Sequence, residues 1–100
     1  MHFSVDEYTS KSDTYMEIAT YPEKFNNDIT VEIYADAEDH CIIVLANHMG
    51  RILRMMGVNV SQGKNHIHVE NVNALKAGIY QLSVKNTDSN VLYSSILTKF

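Results

Sequence analysis

The sequence predicts an all-β protein, a β-sandwich of about seven short antiparallel strands. Three observations carry that reading. From Thr14 onward, short apolar segments recur about every ten residues, separated by clusters of Asn, Asp, Ser and Gly. The segments are enriched in β-branched and aromatic residues. Several alternate strictly: Ile29, Val31 and Ile33 share one face, with Thr30, Glu32 and Tyr34 on the other, as a half-buried strand requires.

Taken in order, residues 1–13 are polar and read as a leader or linker, and residues 14–100 as the sandwich domain. One hundred residues suffice for one domain with its own core. Strands are expected at Tyr15–Thr20, Ile29–Ala35, His40–Ala46, Arg51–Val60, Asn65–Glu70, Gly78–Lys85 and Val91–Thr98. Tyr80, Leu82 and Val84 oppose Gln81, Ser83 and Lys85; Ile67 and Val69 oppose His66, His68 and Glu70.

Residues 41–56 also fit a helix, with Ile42, Leu45, Met49, Ile52, Leu53 and Met56 near one face. Gly50 interrupts that pattern, and Asn47-His48-Met49-Gly50 suits a hairpin loop with Gly at a positive-φ position. Two strands and a turn are therefore expected. In the second of them Leu53 and Met55 are expected to face inward before Gly57, and Val58 and Val60 after it. That change of parity calls for a β-bulge, placed at Gly57.

Composition narrows the function classes. Eight Lys and Arg stand against 12 Asp and Glu, a net charge of −4, and a nucleic-acid binder would show a basic surplus on one face. No apolar run approaches the roughly 20 residues that cross a bilayer. The single cysteine, Cys41, has no partner for an internal disulfide and shares the inward parity of Ile43 and Leu45, so it reads as a core residue.

The sharpest chemical pattern is His66-x-His68-x-Glu70, three side chains on one strand face that could hold Zn²⁺, with His40 or His48 as a further imidazole. The competing reading makes them the solvent half of an alternating strand, and the absence of a second ligand pair of recognised spacing favours it. No nucleophile elbow supports a Ser-His-Asp triad, and Gly57 and Gly63 belong to no phosphate-cradling run. Met55 and Met56 could line an adaptable surface, but at least one of them is expected in the core. Arg51, Arg54 and Lys64 are too few for a nucleic-acid patch. No catalytic residue, metal site or cofactor is expected, and the chain reads as a non-enzyme.

The spacing of particular residues says more. Tyr21-Pro22-x-x-Phe25, Ile29-x-Val31-x-Ile33, Gly50-Arg51, Gly63-x-Asn65-x-Ile67 and Leu75-x-x-Gly78-Ile79-Tyr80 occur in that order, and Lys99-Phe100 makes a basic-apolar finish. Over about Met16 to Phe100 this resembles the C-terminal sorting domain of Bacteroidetes type IX secretion cargo. The resemblance implies an immunoglobulin-like sandwich and recognition by secretion-system proteins. It also implies passage through the periplasm to the cell surface and removal by a sortase-like surface peptidase. Glu23 and Lys24 stand where the family has Asn and Pro, and Asn47 where it has Asp. Residues 1–13 lack a cationic start and an apolar stretch, so the resemblance implies a longer precursor.

Within the motif, Leu75 is expected to plug the bottom of the sandwich while Gly78 lets the chain turn sharply into the next strand. Tyr80 should then bury its ring and send its hydroxyl to backbone groups at the turn, a tyrosine corner. Three readings of function follow: a non-catalytic sorting or anchoring domain; an accessory module binding carbohydrate or protein, with Tyr8, Tyr34 and Tyr93 as exposed aromatics; and, last, a metal or thiol enzyme. Fold alone does not choose among them.

Overall fold

The computed structural model describes residues 14–100; the leader assigned to residues 1–13 lies outside the described residues. Alternating burial builds the strands: β1 (Met16–Tyr21), β2 (Lys24–Phe25), β3 (Ile29–Ala35), β4 (Asp39–Asn47), β5 (Ile52–Val60), β6 (Gly63–Val69), β7 (Gly78–Lys85) and β8 (Val91–Lys99). One sheet runs β1-β3-β6 and the other β2-β8-β7-β4-β5. Every pairing is antiparallel except that of β2 with β8. This is an immunoglobulin-like sandwich in which the seven expected strands all form. The two-residue β2 is an addition that no periodicity could show.

The core lies between the sheets. Ile29, Val31, Ile33 and Ala35 of β3 meet Cys41, Ile43 and Leu45 of β4 and Tyr80, Leu82 and Val84 of β7, all buried. Cys41 is 1% exposed; burial, aided by the charge of Asp39, pushes its thiol pKa up. The helical alternative for residues 41–56 is replaced by β4, a turn and β5, because the inward residues recur with period two.

The bulge is displaced from its expected place. Gly57 sits in regular register opposite Ile42, whereas the shift falls where Leu45 pairs with Arg54 and Ala46 with Ile52, leaving Leu53 as the extra residue. Parity therefore changes at Leu53 instead of Gly57: Leu53 and Met56 pack on the core, and Met55, expected inside, is 62% exposed. A Cβ at Gly57 would meet nothing within 4 Å, so the glycine answers to no steric need there. A second irregularity occurs at Leu92, between the pairs Val84–Tyr93 and Lys85–Val91.

Candidate functional site

The residues that carried the resemblance divide into those that hold the fold and those that reach solvent. Phe25 and Tyr80 belong to the first group. Both are buried, and their rings meet edge to face at 6.0 Å between centroids. The Tyr80 hydroxyl donates to the carbonyl of Lys76 at 2.5 Å, giving the expected tyrosine corner its partner. Leu75 packs against the same core from beside a single 3₁₀ turn, Val72–Ala74. Gly78 opens β7 with φ +153°.

Asn65 secures the passage from one sheet to the other. Its Oδ1 accepts from the Ser61 amide at 3.0 Å, while its Nδ2 donates to the carbonyls of Ser61, Gly63 and, across the ladder, Ile33. Gly63 begins β6 at the foot of that clamp. In the β4–β5 turn, Asn47 Oδ1 accepts from the amides of Met49 and Arg51, both at 2.9 Å. Only the oxygen is used, so Asn47 supplies what an aspartate would supply there. Gly50 takes φ +85°, which a residue with a Cβ enters at a cost.

Lys99 was expected as part of a terminal signal, and the structure buries it to 6% exposure. Its Nζ donates to Asn26 Oδ1 at 3.2 Å and to the Phe100 carbonyl at 3.3 Å. It pairs with Phe25 on one side and Gly78 on the other. The first and last motif elements therefore meet at one end of the sandwich. Tyr21, Pro22 and Arg51 are exposed, with Arg51 at the tip of the β4–β5 hairpin.

The metal pattern does not converge. His66 Nε2 faces Glu32 at 3.4 Å, His68 Nδ1 faces Asp28 at 3.3 Å, and Glu70 lies past the end of β6, beside Arg54 and Asn71. His40 is engaged with Asn59, and His48 sits in the exposed turn. Among the described residues no group of three or more His, Cys, Asp or Glu could hold a metal ion.

Sequence reasoning missed the order of the face that carries these histidines. Glu32 occupies its centre. It accepts from the Tyr21 hydroxyl at 3.2 Å and faces both Lys64, at 3.5 Å, and His66. Partial desolvation works to raise its carboxyl pKa, but Lys64, the Tyr21 hydroxyl and His66 outweigh it and hold the group below its ordinary value. The signal was present in the register: Glu32 lies between Ala19 on β1 and His66 on β6. Of the proposed exposed aromatics, Tyr34 is 43% exposed on this face and Tyr93 instead packs against the core. Tyr8 lies outside the described residues.

Solved structures share the fold at low identity. A β-glucosidase from Listeria innocua in complex with glucose aligns with a TM-score of 0.57 and 11% identity, over 87% of this chain and 16% of that one. A β-glucosidase from Kluyveromyces marxianus aligns with a TM-score of 0.50 and 11% identity, over 88% of this chain and 15% of that one. The chain thus spans about a sixth of the length of the enzymes it resembles, and the likeness shows the fold alone. No curated protein matches it in sequence. The family model described as secretion system C-terminal sorting domain matches residues 19–98. Those residues take in every strand from the middle of β1 nearly to the end of β8, and the chain therefore belongs to the C-terminal sorting domain family, whose members direct proteins to type IX secretion.

Proposed function

We propose that the sandwich acts as a folded export tag on a longer precursor, carried through the periplasm, read there by the type IX machinery and cut away at the cell surface by a sortase-like peptidase. The observation that carries this reading is the distribution of the motif residues. Phe25, Asn65, Leu75, Tyr80 and Lys99 spend their side chains on packing and internal hydrogen bonds. A signal read as a linear peptide would need those side chains outward. A signal read as a shape needs them where they are, with exposed features such as Arg51 left to contact the receptor.

The test is a periplasm-targeted reporter fused to the 100-residue chain in a Bacteroidetes host with a working type IX system. Surface delivery is expected for the intact domain. Tyr80→Ala, which removes the corner, should leave the reporter in the periplasm. Arg51→Ala should leave the melting temperature unchanged while lowering export. A reporter that never reaches the surface with the intact domain overturns the proposal.

A further inference from the structure

The two outer faces of the sandwich differ in charge. On the three-stranded sheet the outward positions carry Glu17, Glu32, Lys64, His66 and His68. The five-stranded sheet presents another surface. Leu45, Leu82 and Leu97 point to the core, so the residues on either side of them point outward. One outward row runs from Ile96 through Gln81 and Ala46 to Ile52. The next pairs Val44 with Met55, and beyond Ile96 both Lys24 and Ile79 flank Thr98. Val44 is only 5% exposed yet lies outside the core cluster, covered by its neighbours on this face.

Where this face meets solvent it is apolar. Ile52, Met55, Ile79, Val91 and Ile96 are each 48–62% exposed. No Asp or Glu takes an outward position on any of the five strands, whereas Lys24, Lys85 and His40 do. The whole chain nevertheless carries a net charge of −4. Its carboxylates are gathered on the opposite face and in connections such as Asp36–Glu38.

We propose that the outer face of the five-stranded sheet rests on a membrane surface bearing anionic headgroups. Its apolar side chains enter the interface while Lys24 and Lys85 reach the headgroups, the half-buried Lys85 by extending its stem over apolar neighbours. Charge complementarity selects both the partner and the orientation. Carboxylates turn the opposite face away from an anionic bilayer, and this face holds none. A second copy packed on the same face would offer the lysines no carboxylate. Protein partners are held mainly through Trp, Tyr and Arg anchors, and no outward strand position of this sheet carries one. A lipid surface requires only apolar area and charge of the right sign. The proposal does not rest on the export reading.

The test is flotation of the 100-residue chain with phosphatidylcholine vesicles and with equimolar phosphatidylcholine and phosphatidylglycerol vesicles. The chain should float with the anionic vesicles at low salt and be released as salt rises. Lys24→Gln and Lys85→Gln should each weaken binding about fivefold. Met55→Glu and Ile79→Glu, which set a carboxylate into the face, should each weaken it by about tenfold or more. Tyr34→Ala, on the opposite sheet, should change nothing. In the unaltered chain a spin-labelled anionic lipid should broaden the methyl signal of Met55. It should spare Met56, the next residue, which packs on the core; this readout decides if a variant fails to fold. Absence of flotation with the anionic vesicles overturns the proposal, as does equal flotation with the neutral ones. So does binding that ignores Met55→Glu and Ile79→Glu, or equal broadening of Met55 and Met56. Loss of export by those two variants, without vesicle binding by the intact chain, would assign the face to a protein of the secretion machinery instead.

Discussion

Asn47 and Asn86 staple two hairpins at opposite ends of the five-stranded sheet with the same bonds. Each donates its amide to the carbonyl four residues on, Arg51 or Asn90, and accepts at its own carbonyl from the residue three on, Gly50 or Ser89. Each also spends its Oδ1 on two further amides, Met49 and Arg51 in one turn and Asp88 and Asn90 in the other. The turns differ at the left-handed position, where Gly50 has φ +85° and Ser89 has φ +68°.

That difference predicts a stabilising substitution. Ser89→Gly should raise stability by about 1 kcal/mol, since glycine enters a positive φ without a Cβ penalty, and Gly50→Ala should cost about as much. Asn47→Asp should stay within about 0.5 kcal/mol because it keeps the accepting oxygen, whereas Asn47→Leu should cost about 1–3 kcal/mol. Denaturant midpoints at constant m-value check all four. A loss on Ser89→Gly would show that the turn is not strained.

Two hydroxyls should respond in opposite directions. Tyr80→Phe leaves the Lys76 carbonyl without its buried donor and should cost about 1–2 kcal/mol, and Tyr80→Ala about 3–5 kcal/mol through the cavity beside Phe25. Among the described residues Thr20 Oγ1 is buried with no hydrogen-bond partner. Thr20→Val should therefore gain about 1 kcal/mol by replacing an unmet hydroxyl with a methyl of the same shape. Thermal unfolding of the three variants separates these effects.

Glu32 should impose a pH dependence of known sign. Its folded pKa lies below its unfolded one, so its contribution is present above the ordinary carboxylate range and disappears as pH falls through the folded value. Glu32→Gln should flatten the melting temperature between about pH 5 and pH 3. A carboxyl-carbon NMR titration with a midpoint at or above the ordinary glutamate value would contradict the arrangement with Lys64, Tyr21 and His66.

Cys41 should be silent in the native state. Burial raises its thiol pKa and its exposure is 1%, so an aromatic disulfide reagent should react only after denaturant is added. Stoichiometric labelling of the folded protein would place the thiol outside the core.

Much of this architecture is legible in the sequence, for a physical reason that also marks where legibility ends. Period-two alternation in Ile29–Ala35 and Gly78–Lys85 reports directly which side chains face a core, so the strands and the inward place of Cys41 follow from it. Periodicity cannot locate an inserted residue when inward and outward side chains are alike. Leu53, Met55 and Met56 are all apolar, and the glycine drew the bulge to the wrong position. Nor does it see a two-residue strand such as Lys24–Phe25, held by pairing with residues far along the chain. The burial of Lys99 depends on Asn26 and was hidden for the same reason. The histidines alternate as the sequence shows, but their separate partners, Glu32 and Asp28, come from neighbouring elements.

The parallel pairing of β2 with β8 joins Phe25 to Lys99, the opening of the domain to its close. The three-stranded sheet gathers β1, β3 and β6, and the segments between them lie in the other sheet, so neither layer can assemble from one continuous stretch. Such non-local topology folds slowly, because distant segments must meet before their contacts repay the lost entropy. A chain interrupted before Thr98 would keep most of its strands yet leave Phe25 and Asn26 without their counterparts. Closure of the domain thus requires the whole of β8 to be present and folded, a geometry that any receptor for the finished shape could inspect.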